Sequence, residues 1–398
     1  MRNWDARAFE TTAGFRVLVL LVLWTLALTI PARICLAEEI DSAPELKESK
    51  SAALLDSAGN VLYAKDGEAE MPPASTTKVM TAMVALDSGH DLSEVVTLVE
   101  EDLGDGGQLA DYGTGDTAPL GELLGVMLIY SGNDAAYNVA RFVAGSEEEF
   151  ANLMNEKAKS IGMEHTHFVN SHGMDVDGHY SCAVDLARMG RYAMQHYPFI
   201  CQTVVKNEVT TTVRGYPETL KATDRLLGLY QGIRGVKTGA VIENYTFVGA
   251  SGRGPIQLYS AVMGCTTVMG RFDDTAALMD WAYGLYKDVE LGNPDWAIRL
   301  QPFAFDLGRK TVLSALDVAT GTRWPTLGDV SYKNVLVRPN RLLEPGTVYG
   351  WTDWYQAERH IATSYSGTKA QPVHVSSWPT FTLPLFDNTQ TLSETDYE

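Results

Sequence analysis

Three short polar strings, Ser75-Thr-Thr-Lys78, Ser131-Gly-Asn133 and Lys237-Thr-Gly239, stand far apart in the chain, and each adjoins an apolar run. A fold that uses them together has to bring a helix, an interhelical loop and a strand to one place, so the spacing suits elements gathered by folding and not a local motif. Singly, each string is weak. An S-x-x-K pattern arises by chance about once or twice in a chain of 398 residues, and this chain holds a decoy at Ser366-Gly-Thr-Lys369. The decoy lies in a Tyr/Ser/Gly/Thr stretch without helical periodicity, and no S-x-N or K-T-G follows it. S-x-N and K-T-G each occur once, both after Ser75, and an accidental ordered trio is improbable.

After Pro72-Pro73-Ala74 come Ser75 and then Val79, Met80, Ala82, Met83, Val84, Ala85 and Leu86, ending at Asp87-Ser88-Gly89. This predicts a buried helix opened by a helix-starting Ser and closed by Gly. Positions i and i+3 share a helical face, which brings the Lys78 ammonium to the Ser75 hydroxyl. A serine alcohol is a poor nucleophile until a neighbouring base takes its proton. Lys78 serves as that base only when neutral, which requires burial and a second cation, here Lys237, to depress its pKa. Standing alone, the string reads more readily as an N-cap Ser with a solvated Lys.

Pro119 to Tyr130 carries Leu120, Leu123, Leu124, Met127 and Leu128, a buried helical pattern that stops at Ser131. A second apolar helix follows with Ala135, Ala136, Val139, Phe142 and Val143. A short polar loop between core helices is a rigid place to present side chains to a cleft. There Ser131 is suited to relay a proton and the Asn133 amide to hold a substrate carbonyl; a C-cap followed by an N-cap is the bland alternative. Lys237-Thr-Gly239 precedes a hairpin-like pair, Tyr245 to Ala250 and Ile256 to Met263, joined by Ser-Gly-Arg-Gly-Pro. This reads as the edge of an antiparallel sheet, along which an extended peptide can lie. Gly239 gives room for close approach, Lys237 and Thr238 attract a terminal carboxylate, and the Ala240 and Ser75 N–H groups form a candidate oxyanion hole. A plain turn is the competing reading of K-T-G.

From about Ser51 to about Tyr286 the chain resembles the serine-type D-alanyl-D-alanine carboxypeptidases, the low-molecular-mass penicillin-binding proteins. Besides the trio, Asn170-Ser-His-Gly-Met174, His179-Tyr-Ser-Cys-Ala-Val-Asp-Leu-Ala187 and Thr223-Asp-Arg-Leu-Leu227 are similar to family segments. The resemblance implies Ser75 as nucleophile, Lys78 as its base, Ser131 and Asn133 as the second catalytic and binding pair, and Lys237 and Thr238 as substrate recognition. It also implies no cofactor, peptidoglycan stem peptides as substrate and β-lactams as inhibitors. The chain departs from the pattern in four places. The acidic residue often found two positions before the Lys of K-T-G is absent, with Arg234 nearby; Ala240-Val241 replaces a more polar pair; Asp224 stands where Asn is usual, and Cys182 where Thr is usual. The first two imply that carboxylate recognition differs in detail, and the changes at Asp224 and Cys182 touch neither the nucleophile nor the base. A β-lactamase is the nearest rival, disfavoured because no Glu-x-x-Leu-Asn is found; a weakly catalytic wall-binding relative is another.

Arg2, Arg7 and Arg16 precede the apolar run Val17 to Leu28, and Cys35-Leu-Ala37 offers small residues at a cleavage site. Residues 1–37 therefore read as a secretory signal peptide, with an uncleaved anchor as the alternative, and the rest is expected outside the cytoplasm. Removing them takes four Arg and two acidic residues from a total of 31 basic and 50 acidic, leaving a net charge of about −21. Nucleic-acid or anionic-lipid partners are disfavoured by that charge. Cys182, Cys201 and Cys265 remain, too few for a disulfide framework, although geometry decides whether one pair forms. No Cys/His cluster has metal-ligand spacing, and His165-Thr-His167 reads as a strand surface.

The apolar pattern predicts helices over 78–87, 120–130, 134–144, 147–161, 183–196 and 273–286, between strands Ala52 to Leu55 and Val61 to Ala64 at one end and 245–263 at the other. This is an α+β class: an antiparallel sheet flanked by helices, of the β-lactamase/transpeptidase type that the resemblance implies. Residues 38–290 form the expected catalytic domain. Residues 295–386, with short runs punctuated by Gly, Pro and Asn, read as a small all-β domain, and 387–398 as a disordered polar tail without a membrane-binding helix.

Overall fold

The computed structural model describes residues 43–101, 103, 107–242, 244–291, 299–302, 309–315, 319–336, 348–368, 373–374 and 389–392. The expected signal peptide and Lys369 of the decoy lie outside the described residues.

Strand β1 (Ser51–Asp56) is buried along its whole length, because its alternating side chains enter two different cores. Ala53 and Leu55 join one apolar cluster, Ala52 and Leu54 the other. Strand β2 (Val61–Lys65) pairs antiparallel with one side of β1 and β9 (Ile256–Cys265) with the other. Beyond β9 lie β8 (Asn244–Arg253) and then β7 (Ile233–Val241), giving a five-stranded antiparallel sheet in the order β2-β1-β9-β8-β7. The β8–β9 hairpin turns through Gly254, whose φ of +56 needs the freedom of glycine. The K-T-G strand thus lies at the sheet's edge, as the sequence predicts.

One face of the sheet packs on helices α1 (Thr77–Asp87), α2 (Leu120–Gly125), α3 (Asn133–Ala144), α4 (Glu147–Ser160), α5 (Ala183–His196) and α6 (Pro198–Thr203). The other face packs on α7 (Gly270–Leu285), through Phe247 and Val262 against Phe272, Leu278 and Met279. Nine of the eleven residues of α1 are buried, so it is a central helix with no solvent face. The predicted 120–130 helix changes character at Val126–Tyr130, a π-helical turn whose following residue, Ser131, is left-handed at φ +80. Helix α4 shows complete end chemistry: Ser146 accepts from the Glu149 N–H at 3.2 Å, acidic residues fill the first turn and Lys157 and Lys159 the last. Helix α6 and the ribbons β3–β4 (Val95–Thr97, Thr117–Pro119) and β5–β6 (Glu208–Val213, Tyr216–Lys221) have runs too short for periodicity to signal.

Helix α7 runs straight into β10 (Lys287–Leu291), which pairs with β13 (Ala319–Arg323), so strand structure begins slightly before the expected boundary. A second sheet has the order β11-β12-β16-β15-β14-β18, from Arg299–Pro302, Arg309–Ala315, Arg359–Thr368, Val348–Gln356, Val330–Leu336 and Thr389–Leu392; β17 (Val373–His374) pairs β12. Strand β18 falls inside the stretch expected to be disordered. Its Thr-Gln-Thr-Leu residues pair antiparallel with Val330–Lys333 at the sheet's edge, where a short polar strand needs little apolar burial. Leu291, Val330, Tyr332, Trp354 and Ile361 form a third core. Trp324 joins this region to α7, with ring centroids 5.6 Å from Trp281 and 5.0 Å from Tyr286.

Candidate active site

The site forms where the start of α1 meets β7. Ser75 is not the helix N-cap that the sequence predicts: it lies inside a 3₁₀ turn, Ala74–Thr76, that leads into α1. Thr76 Oγ1 donates to the Pro73 carbonyl at 2.7 Å and closes that turn, which frees the Ser75 hydroxyl from capping. Ala74 has φ +51, a strained value for a residue with a Cβ, and it turns the chain sharply into the nucleophile position.

Lys78 Nζ lies 3.0 Å from Ser75 Oγ, 2.6 Å from Asn133 Oδ1 and 2.6 Å from the His172 carbonyl. Its side chain is fully buried, and burial, then the charge of Lys237, holds its pKa well below the usual lysine value against the opposing pull of Asp134. A neutral amine has two N–H groups and one lone pair. Asn133 Oδ1 and the His172 carbonyl accept only, so they take the two N–H groups and leave the lone pair facing the Ser75 O–H.

Lys237 is 1 % exposed, with Nζ donating to the Thr238 carbonyl at 3.1 Å. Burial and the nearby Arg271 bring its pKa down to about 7, although Asp224 pulls the other way. Asp224 is itself raised to about 6 by burial: Oδ1 accepts from the Leu226 N–H at 2.8 Å, while Oδ2 is buried without a hydrogen-bond partner among the described residues. Arg271, in the first turn of α7, donates from Nη1 to the Gly239 carbonyl at 2.7 Å and so holds the edge strand from behind. Thr238 Oγ1 and Thr223 Oγ1 are 2.6 Å apart.

These elements enclose a cleft of about 140 Å³, lined by Ser75, Ser131, Asn133, Thr238, Gly239 and Ala240, with Gly107, Gln108, Gly173, Met174, Thr223 and Arg271 completing its walls. Six of the eight residues singled out from sequence therefore share one cleft. The other two, Lys78 and Lys237, lie beneath it and reach it through neighbours and charge. No hydrogen bond among the described residues joins the Ser131 hydroxyl to Ser75 or Lys78. A larger depression of about 730 Å³ over α4, lined by Glu149, Asn152, Asn155, Glu156 and Lys159, gathers no nucleophile, so size is not the guide to chemistry here.

Sequence reasoning passed over Arg271, which reads as an ordinary helix charge, and the role of the 170–174 turn, whose backbone does the holding. Gly173 there has φ +91, and a Cβ on it would fall 2.0 Å from the Ala74 carbonyl oxygen, so only glycine allows that approach. The decoy fails geometrically: Ser366 lies on β16 and not on a helix. Cys182, Cys201 and Cys265 form no disulfide among the described residues. His167 bridges to Tyr180, with Nδ1 2.7 Å from the Gly178 carbonyl.

A five-stranded antiparallel sheet between helical layers, with a Ser/Lys pair at its edge, defines the penicillin-binding-protein class of fold. The sequence profile of the D-alanyl-D-alanine carboxypeptidases, peptidase family S11, matches residues 38–267, and the chain belongs to that family. It is 34 % identical over 246 residues to D-alanyl-D-alanine carboxypeptidase DacF of Bacillus subtilis (60 % of this chain, 63 % of that protein). Over 262 residues it is 30 % identical to DacA of Escherichia coli K12 (63 % and 64 %). The chain thus spans a little under two thirds of the length of these relatives. Among solved structures, penicillin-binding protein D2 of Listeria monocytogenes in its ampicillin-bound form matches 61 % of this chain and 100 % of its own, at 32 % identity and TM-score 0.55. Penicillin-binding protein 5 from Haemophilus influenzae matches 83 % and 99 % at 22 % identity and TM-score 0.60, a likeness of fold alone.

Proposed function

We propose that the protein is a serine-type D-alanyl-D-alanine carboxypeptidase that removes the terminal D-alanine from peptidoglycan stem pentapeptides outside the cytoplasm. The observation that carries this is the buried Lys78 amine, 3.0 Å from Ser75 Oγ, with its two N–H groups taken by Asn133 Oδ1 and the His172 carbonyl. An extended peptide lies along the free edge of β7, its terminal carboxylate drawn towards Thr238 and Arg271, with the charge of Lys237 beneath. The scissile carbonyl oxygen sits between the Ser75 and Ala240 N–H groups. Ser75 Oγ attacks the carbonyl carbon as its proton passes to Lys78 Nζ. The tetrahedral intermediate collapses, the C–N bond breaks, and the proton is delivered to the departing D-alanine amine with Ser131 as relay. Water then hydrolyses the ester and restores Ser75. The Asn133 amide holds the peptide on the cleft's far side.

The chemistry needs no cofactor. The basic and apolar amino-terminal stretch supports a secretory leader over residues 1–37, and the change in composition supports a small β domain over 295–386 following a catalytic domain over 38–290. The ampicillin-bound and cefotaxime-bound relatives from Listeria support acylation by β-lactams here.

Mass spectrometry of a pentapeptide muropeptide incubated with the protein tests the reading: loss of one D-alanine is expected, with penicillin as a slowly reversed inhibitor. Rapid multiple turnover of penicillin without release of D-alanine would assign a β-lactamase instead.

A further inference from the structure

The Ser171–His172 turn holds the general base, and the question is what holds the turn. Its inner side cannot move further in, because Gly173 already lies against the Ala74–Ser75 backbone, where a Cβ would fall 2.0 Å from the Ala74 carbonyl oxygen and 2.9 Å from Ser75 N. Outward movement would withdraw the His172 carbonyl from Lys78 and let the amine rotate its lone pair away from Ser75. Within the turn, Asn170 Oδ1 accepts from the Gly173 N–H at 2.7 Å and its Nδ2 donates to the Met174 carbonyl at 2.9 Å. Thr81 Oγ1 of α1 donates to the Ser171 carbonyl at 2.5 Å.

The remaining restraint comes from outside. Glu147 Oε1 accepts from the Ser171 hydroxyl at 2.6 Å and from the Ser171 N–H at 3.0 Å, and lies 3.5 Å from His172 Nε2. Burial, then the charges of Lys78 and His179, brings the His172 pKa down to about 3, so the imidazole is neutral. Its Nδ1 accepts from the Met174 N–H at 3.2 Å, which places the ring proton on Nε2, facing the Glu147 carboxylate. Glu147 is the first residue of α4, so its position is fixed by a capped helix and its charge is favoured by the helix N-terminus.

We propose that Glu147 is a positioning residue for the acylation step: it clamps the Ser171–His172 turn against α1 and so keeps the Lys78 lone pair on Ser75. The proposal rests on the reading of Lys78 as the base. Glu147 touches neither substrate nor nucleophile, and its effect is confined to the rate of proton transfer and bond formation, not to substrate affinity. Because an acceptor oxygen is what the clamp needs, a glutamine supplies most of it and an alanine none.

The experiment is stopped-flow acylation by a fluorescent penicillin, resolved into the non-covalent binding constant and the acylation rate, for wild type, Glu147→Gln and Glu147→Ala. A base displaced by about 1 Å costs up to roughly 10²-fold in rate. The alanine variant is therefore expected to acylate about 10- to 100-fold more slowly with binding unchanged, and the glutamine variant to recover to within about fivefold of wild type. Circular dichroism and thermal melting establish that each variant is folded. An alanine variant within threefold of the wild-type rate overturns the proposal. So does a glutamine variant as slow as the alanine one, or a defect that lies in binding. Wild type that fails to acylate at Ser75, or Lys78→Ala that acylates normally, removes the underlying reading of the base and not the clamp alone.

Discussion

Replacing Lys237 by Met should make the protein more stable while damaging its chemistry. The Lys237 ammonium is 1 % exposed, and burial followed by repulsion from Arg271 takes its pKa from the ordinary 10.5 to about 7. At about 1.4 kcal/mol for each tenfold change, holding this lysine in the fold costs roughly 4–5 kcal/mol at and below pH 7. The sign follows from linkage. The unfolded chain binds the proton more tightly, so stability rises with pH between about 7 and 10.5, and above 10.5 the penalty is gone. Methionine fills a similar volume without charge. It forfeits the hydrogen bond to the Thr238 carbonyl and removes one of the two cations near Asp224, which together offset about 1–2 kcal/mol. The expected net gain is roughly 2–4 kcal/mol at pH 7, shrinking as pH rises and turning into a net loss of about 1–2 kcal/mol above pH 10.5, where only the offset remains. Urea unfolding of wild type and Lys237→Met at several pH values measures it, alongside the KM for pentapeptide, which should rise as the charge beneath the carboxylate subsite is lost. A variant less stable than wild type at pH 7, or a difference that does not change between pH 6.5 and 10.5, would refute the account of Lys237 as a buried charge kept for function.

Four further outcomes follow from the same geometry. Ser75→Ala should abolish covalent labelling by penicillin, read by peptide mapping; label on the Ser366 peptide would show that the wrong S-x-x-K was chosen. Lys78→Ala should slow acylation by about 10²- to 10⁴-fold without lowering the melting temperature at neutral pH. In wild type the acid limb of the acylation–pH profile should lie far below the 10.5 of a solvated lysine, since burial and Lys237 depress this pKa; a limb near 10 would contradict a buried base. Gly173→Ala should destabilise by about 2–4 kcal/mol, because it forces a Cβ residue to φ +91 and into the Ala74 carbonyl; denaturant midpoints and acylation rates measure it, and wild-type values in both would mean that the turn is slack.

Much of this architecture was legible because its elements are long and apolar. The run Val79 to Leu86 belongs to a helix buried on nearly every side, and the paired runs around Gly254 could only be a hairpin. The proximity of Ser75 and Lys78 and the edge position of the K-T-G strand were legible for a different reason: the i, i+3 spacing of Ser75 and Lys78 carries its own geometry, and the hairpin after Lys237-Thr-Gly239 leaves that strand at the sheet's edge. What stayed hidden depends on backbone atoms or on contacts distant in sequence. The His172 carbonyl has no sequence signature. Arg271 looks like any helix arginine until β7 is seen in front of it, and Glu147 looks like part of an acidic first turn until the 170–174 turn is seen beside it. A Ser before an apolar helical run normally caps it, and Ser75 departs from that rule because Thr76 closes a 3₁₀ turn there instead.

Several of the unfavourable features of this molecule lie around the cleft, although left-handed non-glycine residues such as Asp66 and Arg214 also stand elsewhere. Ala74 and Ser131 hold left-handed backbone at φ +51 and +80, burial and then the charge of Lys237 depress the Lys78 pKa, and Asp224 Oδ2 and Arg271 Nε are buried without hydrogen-bond partners among the described residues. Around one hydroxyl these features suit the proposed reaction: left-handed backbone leads into Ser75 at Ala74 and holds Ser131 at the cleft, and burial, then the charge of Lys237, favours the neutral Lys78 amine. The stability that sustains them comes from the same source. Helix α1 is held by Val79, Met80, Ala82 and Met83 in the main core, and it is this anchoring that draws Lys78, one residue before Val79, out of water. On the proposed mechanism, a change that loosened α1 would weaken the base before it lost the fold: access of water to Lys78 would remove the burial that depresses its pKa, and Ser75 would lose its activation.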